Sequence, residues 1–199
     1  WDVYEDNCYD GAIKAGVLER SLIESVKYPL QQLKPLPAVF RKEFVKNLDG
    51  TNIKRQKKHL DLVEALKDDI SSFKKKNDID RCIMIWCAST ESYLAPQDVH
   101  SSIAKFEKGL KKNDPLIPPS MIYAYAAITS GIPYINGSPS LTVDVPAMNQ
   151  LARKHEVPIS GKDFKTGQTL MKTILAPGLK ARLLGLQGWY STNILGNRD

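Results

Sequence analysis

Three short apolar runs, each ending abruptly in a cluster of small polar residues, constrain this chain more than any other feature. The first, Arg81-Cys82-Ile83-Met84-Ile85-Trp86-Cys87, shows no polar alternation, as expected of a strand covered on both sides. The second runs over residues 132–135 and the third is Val157-Pro158-Ile159. Helical patterns lie between and around them. Over 57–76, Leu62, Val63, Leu66, Ile70 and Phe73 share one face with charge elsewhere. Val99, Ile103, Phe106 and Leu110 form a second amphipathic face. Pro119-Ser120 opens a third helix that Gly131 ends. Asp144-Val145-Pro146 starts a fourth, with Asp144 as a cap and Pro146 in the first turn, running to about Glu156. A further helix is expected over 167–175, and 183–190 reads as a strand broken by Gly185 and Gly188.

Strand and helix alternate, and the crossovers are long enough for parallel pairing, so the pattern argues for an α/β sheet with helices on its faces. The polar clusters are Cys87-Ala88-Ser89-Thr90-Glu91, Asn136-Gly137-Ser138-Pro139 and Ser160-Gly161-Lys162-Asp163. Any one of them is an ordinary turn. In a parallel sheet, however, strand ends of one polarity line one edge, and ligands of open α/β sheets bind in the crevice beyond it. Three clusters in register favour a site, and small hydroxyl and amide side chains suit a flat or extended ligand held close to the backbone. The segment 163–169 leads into a helix whose N-terminus can meet an anion. Asp163 beside Lys165 reads either as a pair that orients a hydroxyl or moves a proton, or as a surface ion pair.

Other classes fit less well. With 199 residues, 42% of them hydrophobic, the chain can bury a sizeable core as one or two domains. Its apolar stretches fall far short of the roughly 20 residues of a membrane span, and no export leader opens it. The first residue is Trp1 and the last is Asp199, which suggests the middle of a longer protein. The net charge of +6 and pI near 9.1 come mostly from 54–58 and 74–76, two runs that flank a helix without stacking aromatics. They read as a solvated face rather than a nucleic-acid surface. Cys8, Cys82 and Cys87 form no C-x-x-C pair, and the latter two lie in or beside an apolar run where thiols pack, so a reduced, cytoplasmic setting is expected. His59, His100 and His155 are scattered, which argues against a metal site, and Met84, Met121, Met148 and Met171 read as core. No G-x-G-x-x-G, P-loop or Ser-His-Asp elbow occurs.

The motifs INGSPSL (135–141), GKDFKTGQT (161–169) with LMKT (170–173), and YSTNILGNRD (190–199) resemble the myo-inositol-1-phosphate synthase family. IWCASTESY (85–93), WDVYEDNCYDGAIKAGVL (1–18) and KPLP (34–37) resemble it too, in collinear order over essentially the whole chain, with variants closer to the archaeal and bacterial branch. The resemblance implies a parallel-sheet, Rossmann-like dinucleotide-binding domain, whose central part is 1–166, and the beginning of an inserted α+β catalytic and tetramerisation domain over 167–199. It implies an NAD-dependent isomerase that converts glucose 6-phosphate to inositol phosphate by oxidation, enolisation, intramolecular aldol closure and re-reduction, in a cytoplasmic homotetramer. A divalent metal is allowed in the full-length enzyme, and none is assigned to this chain.

Carried over by position, Ala88, Ser89, Thr90, Gly137, Ser138, Thr166, Asn197 and Asp199 are the cofactor-contacting residues, with Asp2 at the cofactor end. Asp163, Lys165 and Lys172 are the catalytic candidates. Cys87 stands where the family usually has Thr, Ser89 where it has Asn, Lys162 where it has Asp, and Leu170 where many members have Lys. The family's glycine-rich loop would precede Trp1 and its main catalytic lysines would follow Asp199, so residues 1–199 alone are expected to be inactive. Another NAD(P)-dependent oxidoreductase of a phosphorylated substrate, or a non-catalytic NAD-binding module, remains the alternative reading.

Overall fold

The computed structural model describes residues 1–164 and 167–188. Lys165, Thr166, Asn197 and Asp199, named above as site residues, lie outside the described residues. Three strands form one parallel sheet: β1 (Met84–Trp86), β2 (Tyr134–Asn136) and β3 (Ile159–Ser160), in that spatial order. Met84 pairs with Tyr134 and Tyr134 with Ile159, so the three strand ends fall in step.

The sheet lies beside a helical layer. α4 (His59–Lys76) buries Leu62, Val63, Leu66 and Ile70, α5 spans Ile103–Lys112, and α6 (Pro119–Thr129) crosses back to β2. α7 (Pro146–Lys154) then links β2 to β3. α6 packs on α4, α7 and β2, and is apolar and buried nearly all round because it fills the middle of the domain. At the N-terminal end, three short helices, α1 (Cys8–Ala15), α2 (Arg20–Ser25) and α3 (Lys27–Gln32), form a lobe that the sequence reading did not resolve. Asn7 caps α1 by accepting from the Asp10 amide, and Gly16 ends it in the left-handed conformation. Single parallel bridges, Asp2 with Pro37 and Ala38 with Ile53, stitch the segments flanking this lobe.

Several expectations are corrected. Met84 and Tyr134 are buried, but Ile85 is 52% exposed, so among the described residues β1 is covered on one face. An apolar run without alternation told of two apolar faces, not of what covers the second. Phe73, placed on the buried face of α4, is instead 52% exposed, and so is much of Met171 on α8 (Gly167–Ala181). Val99 sits in a 3-10 turn, Asp98–His100, ahead of α5 rather than inside it. Asp144 does not cap α7; its carboxylate pairs with Lys162 at 2.9 Å. Residues 183–188 hold no strand. Gly185 and Gly188 weaken extended pairing there, as interior glycines do. Cys87 is exposed rather than packed. Lys54 is not a solvated charge: its side chain is 8% exposed and pairs with Asp69 at 2.7 Å.

Candidate functional site

The three strand ends are joined by backbone bonds that continue the sheet beyond its last residues. The Gly137 amide donates to the Trp86 carbonyl (2.8 Å), Phe164 to the Gly137 carbonyl (3.2 Å), and Asp163 to the Ser138 carbonyl (2.9 Å). Two glycines make this possible. A Cβ on Gly137 would lie 2.7 Å from the Trp86 carbonyl oxygen, and one on Gly161 would lie 2.4 Å from that of Asn136. Gly161 also has φ +86°, a conformation in which other residues are strained. Asp163 adopts φ +65°, which aspartate tolerates better than most residues.

Asn136 holds the middle loop from inside. Fully buried, it accepts at Oδ1 from both the amide and the hydroxyl of Ser138 (3.1 Å each), and its Nδ2 donates to the Ser140 carbonyl at 2.7 Å. The cluster is therefore a well-made turn as well as a rim. Its construction spends the Ser138 hydroxyl, whose residue is 3% exposed. Gly137 and Ser138 thus offer the rim close approach of the backbone rather than a side chain.

Beside the end of β1 opens a cavity of about 470 Å³, lined among others by Asp2, Ala88, Ser89, Glu91, Trp86 and Tyr123. Residues 86 positions apart, Asp2 and Ala88, are brought together here because the N-terminal segment bridges to residue 37 and the following chain to residue 53. Trp1, Tyr123 and Trp86 form a run of aromatic contacts, with centroids 5.4 and 5.2 Å apart. Trp1 donates its indole N–H to Asp69, and the Tyr123 hydroxyl accepts from the Val39 amide at 2.9 Å. Burial raises the Tyr123 phenol, so it stays neutral. The Trp86 indole N–H is buried without a hydrogen-bond partner, a costly state. The small side chains of Ala88 and Ser89 and the exposed Asp2 in the cavity, with Gly137 at the adjoining rim, fit a nucleotide.

Thr90 lines a second cavity of about 220 Å³, and Glu91 stands between the two. Lys172 is exposed on α8. The sequence reading assigned no role to Trp86, Tyr123 or Glu91. An acid among small polar residues after an apolar run was the available signal for Glu91, and nothing marked the aromatics apart from core.

The histidines serve structure. His100 accepts at Nδ1 from the Gln97 amide and bonds the Leu116 carbonyl through Nε2 (3.0 Å). Burial lowers the pKa of both His59 and His100. Among the described residues, no group of three or more His, Cys, Asp or Glu side chains could hold a metal ion. No described helix is long and apolar enough to cross a membrane.

An open parallel sheet with a polar rim and a cavity beside the carboxyl end of β1 fits a dinucleotide-binding α/β domain of the Rossmann kind. The family model for the NAD-binding domain of myo-inositol-1-phosphate synthase matches residues 1–187, and the chain belongs to that family. It is 50% identical to an inositol-3-phosphate synthase of Bacteroides thetaiotaomicron over 100% of this chain and 47% of the relative. It is 35% identical to that of Oryza sativa over 100% of this chain and 40% of the relative. The crystal structure of inositol-3-phosphate synthase from Caenorhabditis elegans matches with a TM-score of 0.85 and 30% identity, covering 92% of this chain and 36% of that one. The chain thus spans less than half the length of these relatives.

Proposed function

We propose that this chain is the central cofactor-binding part of an inositol-3-phosphate synthase, an NAD-dependent isomerase that converts glucose 6-phosphate to inositol phosphate. The observation that carries the reading is the stitched rim at the ends of β1, β2 and β3, with the Asp2–Ala88–Ser89 cavity opening beside it. NAD bound there supplies a reversible hydride acceptor. Residues 1–166 belong to the cofactor domain and 167–199 begin the catalytic and tetramerisation domain of a cytoplasmic homotetramer.

The division of labour follows from the local chemistry. Ala88, Ser89 and Gly137 allow close approach to the backbone, and the Asp2 carboxylate accepts from ribose hydroxyls. Thr90 and Ser138 border the same cofactor path, and Thr166, Asn197 and Asp199 complete it by the family resemblance. Asp163, held by its own amide to the Ser138 carbonyl, has its carboxylate exposed at the rim, where it orients the reacting hydroxyl. Lys165 and Lys172 supply cationic charge toward the phosphate and developing oxyanion. A divalent metal, where the full-length protein uses one, would draw its ligands from elsewhere, since the described residues offer no cluster for it.

The test is to incubate the full-length protein with glucose 6-phosphate and NAD. Inositol phosphate is expected to form with no net NADH, because the hydride returns within each turnover. Stoichiometric NADH accumulation would instead indicate an ordinary dehydrogenase, and binding without turnover a non-catalytic NAD module.

A further inference from the structure

α6 begins without a cap of its own: Pro118 holds the N-cap position and has no side-chain donor or acceptor to give. The missing acceptor arrives from the loop after β1. One carboxylate oxygen of Glu91 accepts from the Ser120 amide at 2.8 Å, and the other accepts from the Ser120 hydroxyl. That hydroxyl in turn accepts from Thr142 Oγ1 at 2.8 Å. The Glu91 amide donates to Ser140 Oγ at 3.4 Å, and the Ser140 carbonyl is the acceptor already bound by Asn136. A single residue, 6% exposed, therefore ties the loop after β1 to the start of α6 and to the loop after β2. Ser120 and Thr142 are themselves fully buried, so a group that loses its partner here is left away from bulk water.

We propose that Glu91 is a positioning residue for the cofactor rim, its carboxylate fixing the Ala88–Thr90 segment against the 138–142 turn through Ser120 and Thr142. The inference rests on the reading of this rim as the NAD site. It names a residue whose carboxylate is taken up by Ser120 and which acts through the loop it anchors. Glu91 lines both cavities, so the loop it anchors separates them. A carboxylate suits the position because it only accepts, matching the two donors of Ser120, and because it faces the positive end of α6.

Glu91→Gln keeps the shape but turns an amide N–H₂ toward a hydroxyl that already accepts from Thr142. Ser120→Ala removes the hydroxyl link and keeps the amide bond. In the full-length protein, each variant is expected to raise the NAD dissociation constant and the KM for NAD about tenfold, with kcat at saturating NAD within about twofold, since one charged hydrogen bond of the clamp is lost. The double variant is expected to lose no more than either single one, because both break the same unit. A merely structural role would instead lower the active fraction, reducing kcat and leaving KM unchanged. Unaltered NAD affinity in Glu91→Gln, or losses that multiply to about a hundredfold in the double variant, would overturn the proposal. Should Glu91→Gln not fold, Ser120→Ala alone gives the reading, with unaltered affinity again contradicting it. Amide exchange of the ligand-free protein separates this inference from the reading beneath it. Faster exchange confined to 88–92 and 138–142 in the variants supports the clamp even if wild type fails to bind NAD, which would sink the cofactor reading alone. Unchanged protection there would sink the clamp.

Discussion

The Gly137 amide donates to the Trp86 carbonyl at 2.8 Å, carrying the β1–β2 pairing past its last register pair, Trp86 with Asn136. That one bond places the loop after β2 against the loop after β1. Gly137→Ala would set a methyl 2.7 Å from this carbonyl oxygen and 2.5 Å from the Phe164 ring. The ring can turn away and the backbone cannot. The variant is expected to lose about 1–3 kcal/mol in denaturant unfolding and to bind NAD at least tenfold more weakly.

Asn136→Ala removes the inner scaffold of the same loop. The buried Ser138 amide and the partly buried Ser140 carbonyl would be left without their partner. A loss of about 2–4 kcal/mol is expected, with NAD affinity falling alongside, read by urea unfolding and by titration of the folded variant.

Much of this arrangement was legible in the sequence. The three apolar runs became β1, β2 and β3, and their being parallel put the three polar clusters along one edge. What was not legible is long-range. Glu91 meets Ser120, 29 positions away, and through Ser120 is linked to Thr142, 51 positions away, and no local pattern announces such partners. Lys54 looked like one member of a basic run, and only the position of Asp69 on α4 makes it a buried ion pair. Asp144 had the chemistry of a cap, but pairing with Lys162 drew it elsewhere. Phe73 obeyed the helical period and still faces outward, because period fixes a face and not what lies opposite.

Glu91 also gives stability a pH dependence of definite sign. Burial pushes its carboxyl from an ordinary 4.5 up to about 7, with the Ser120 bonds opposing the rise. A carboxyl raised on folding stabilises the fold fully below about pH 4.5, and this contribution is lost as pH rises toward 7. The shift corresponds to about 3 kcal/mol at most. Unfolding free energies measured between pH 4.5 and 8 are expected to fall more steeply for wild type than for Glu91→Gln, whose amide does not titrate. Parallel curves would contradict this assignment.

Lys162→Ala should do little. Its bond to Asp144 joins side chains 53% and 39% exposed, and such pairs contribute about 0.2–1 kcal/mol. A small stability loss that shrinks in high salt is expected in thermal unfolding, with NAD affinity held within about twofold. A larger loss of affinity would mean that position 162, where the family usually has an acid, takes part in the site.

The most direct measurement is a crystal structure of the full-length protein grown with NAD. The account predicts cofactor density running along the loops after β1, β2 and β3, within contact of Ser89 and Gly137 and beside Asp163. Density bound elsewhere, with that rim closed to it, would contradict the account.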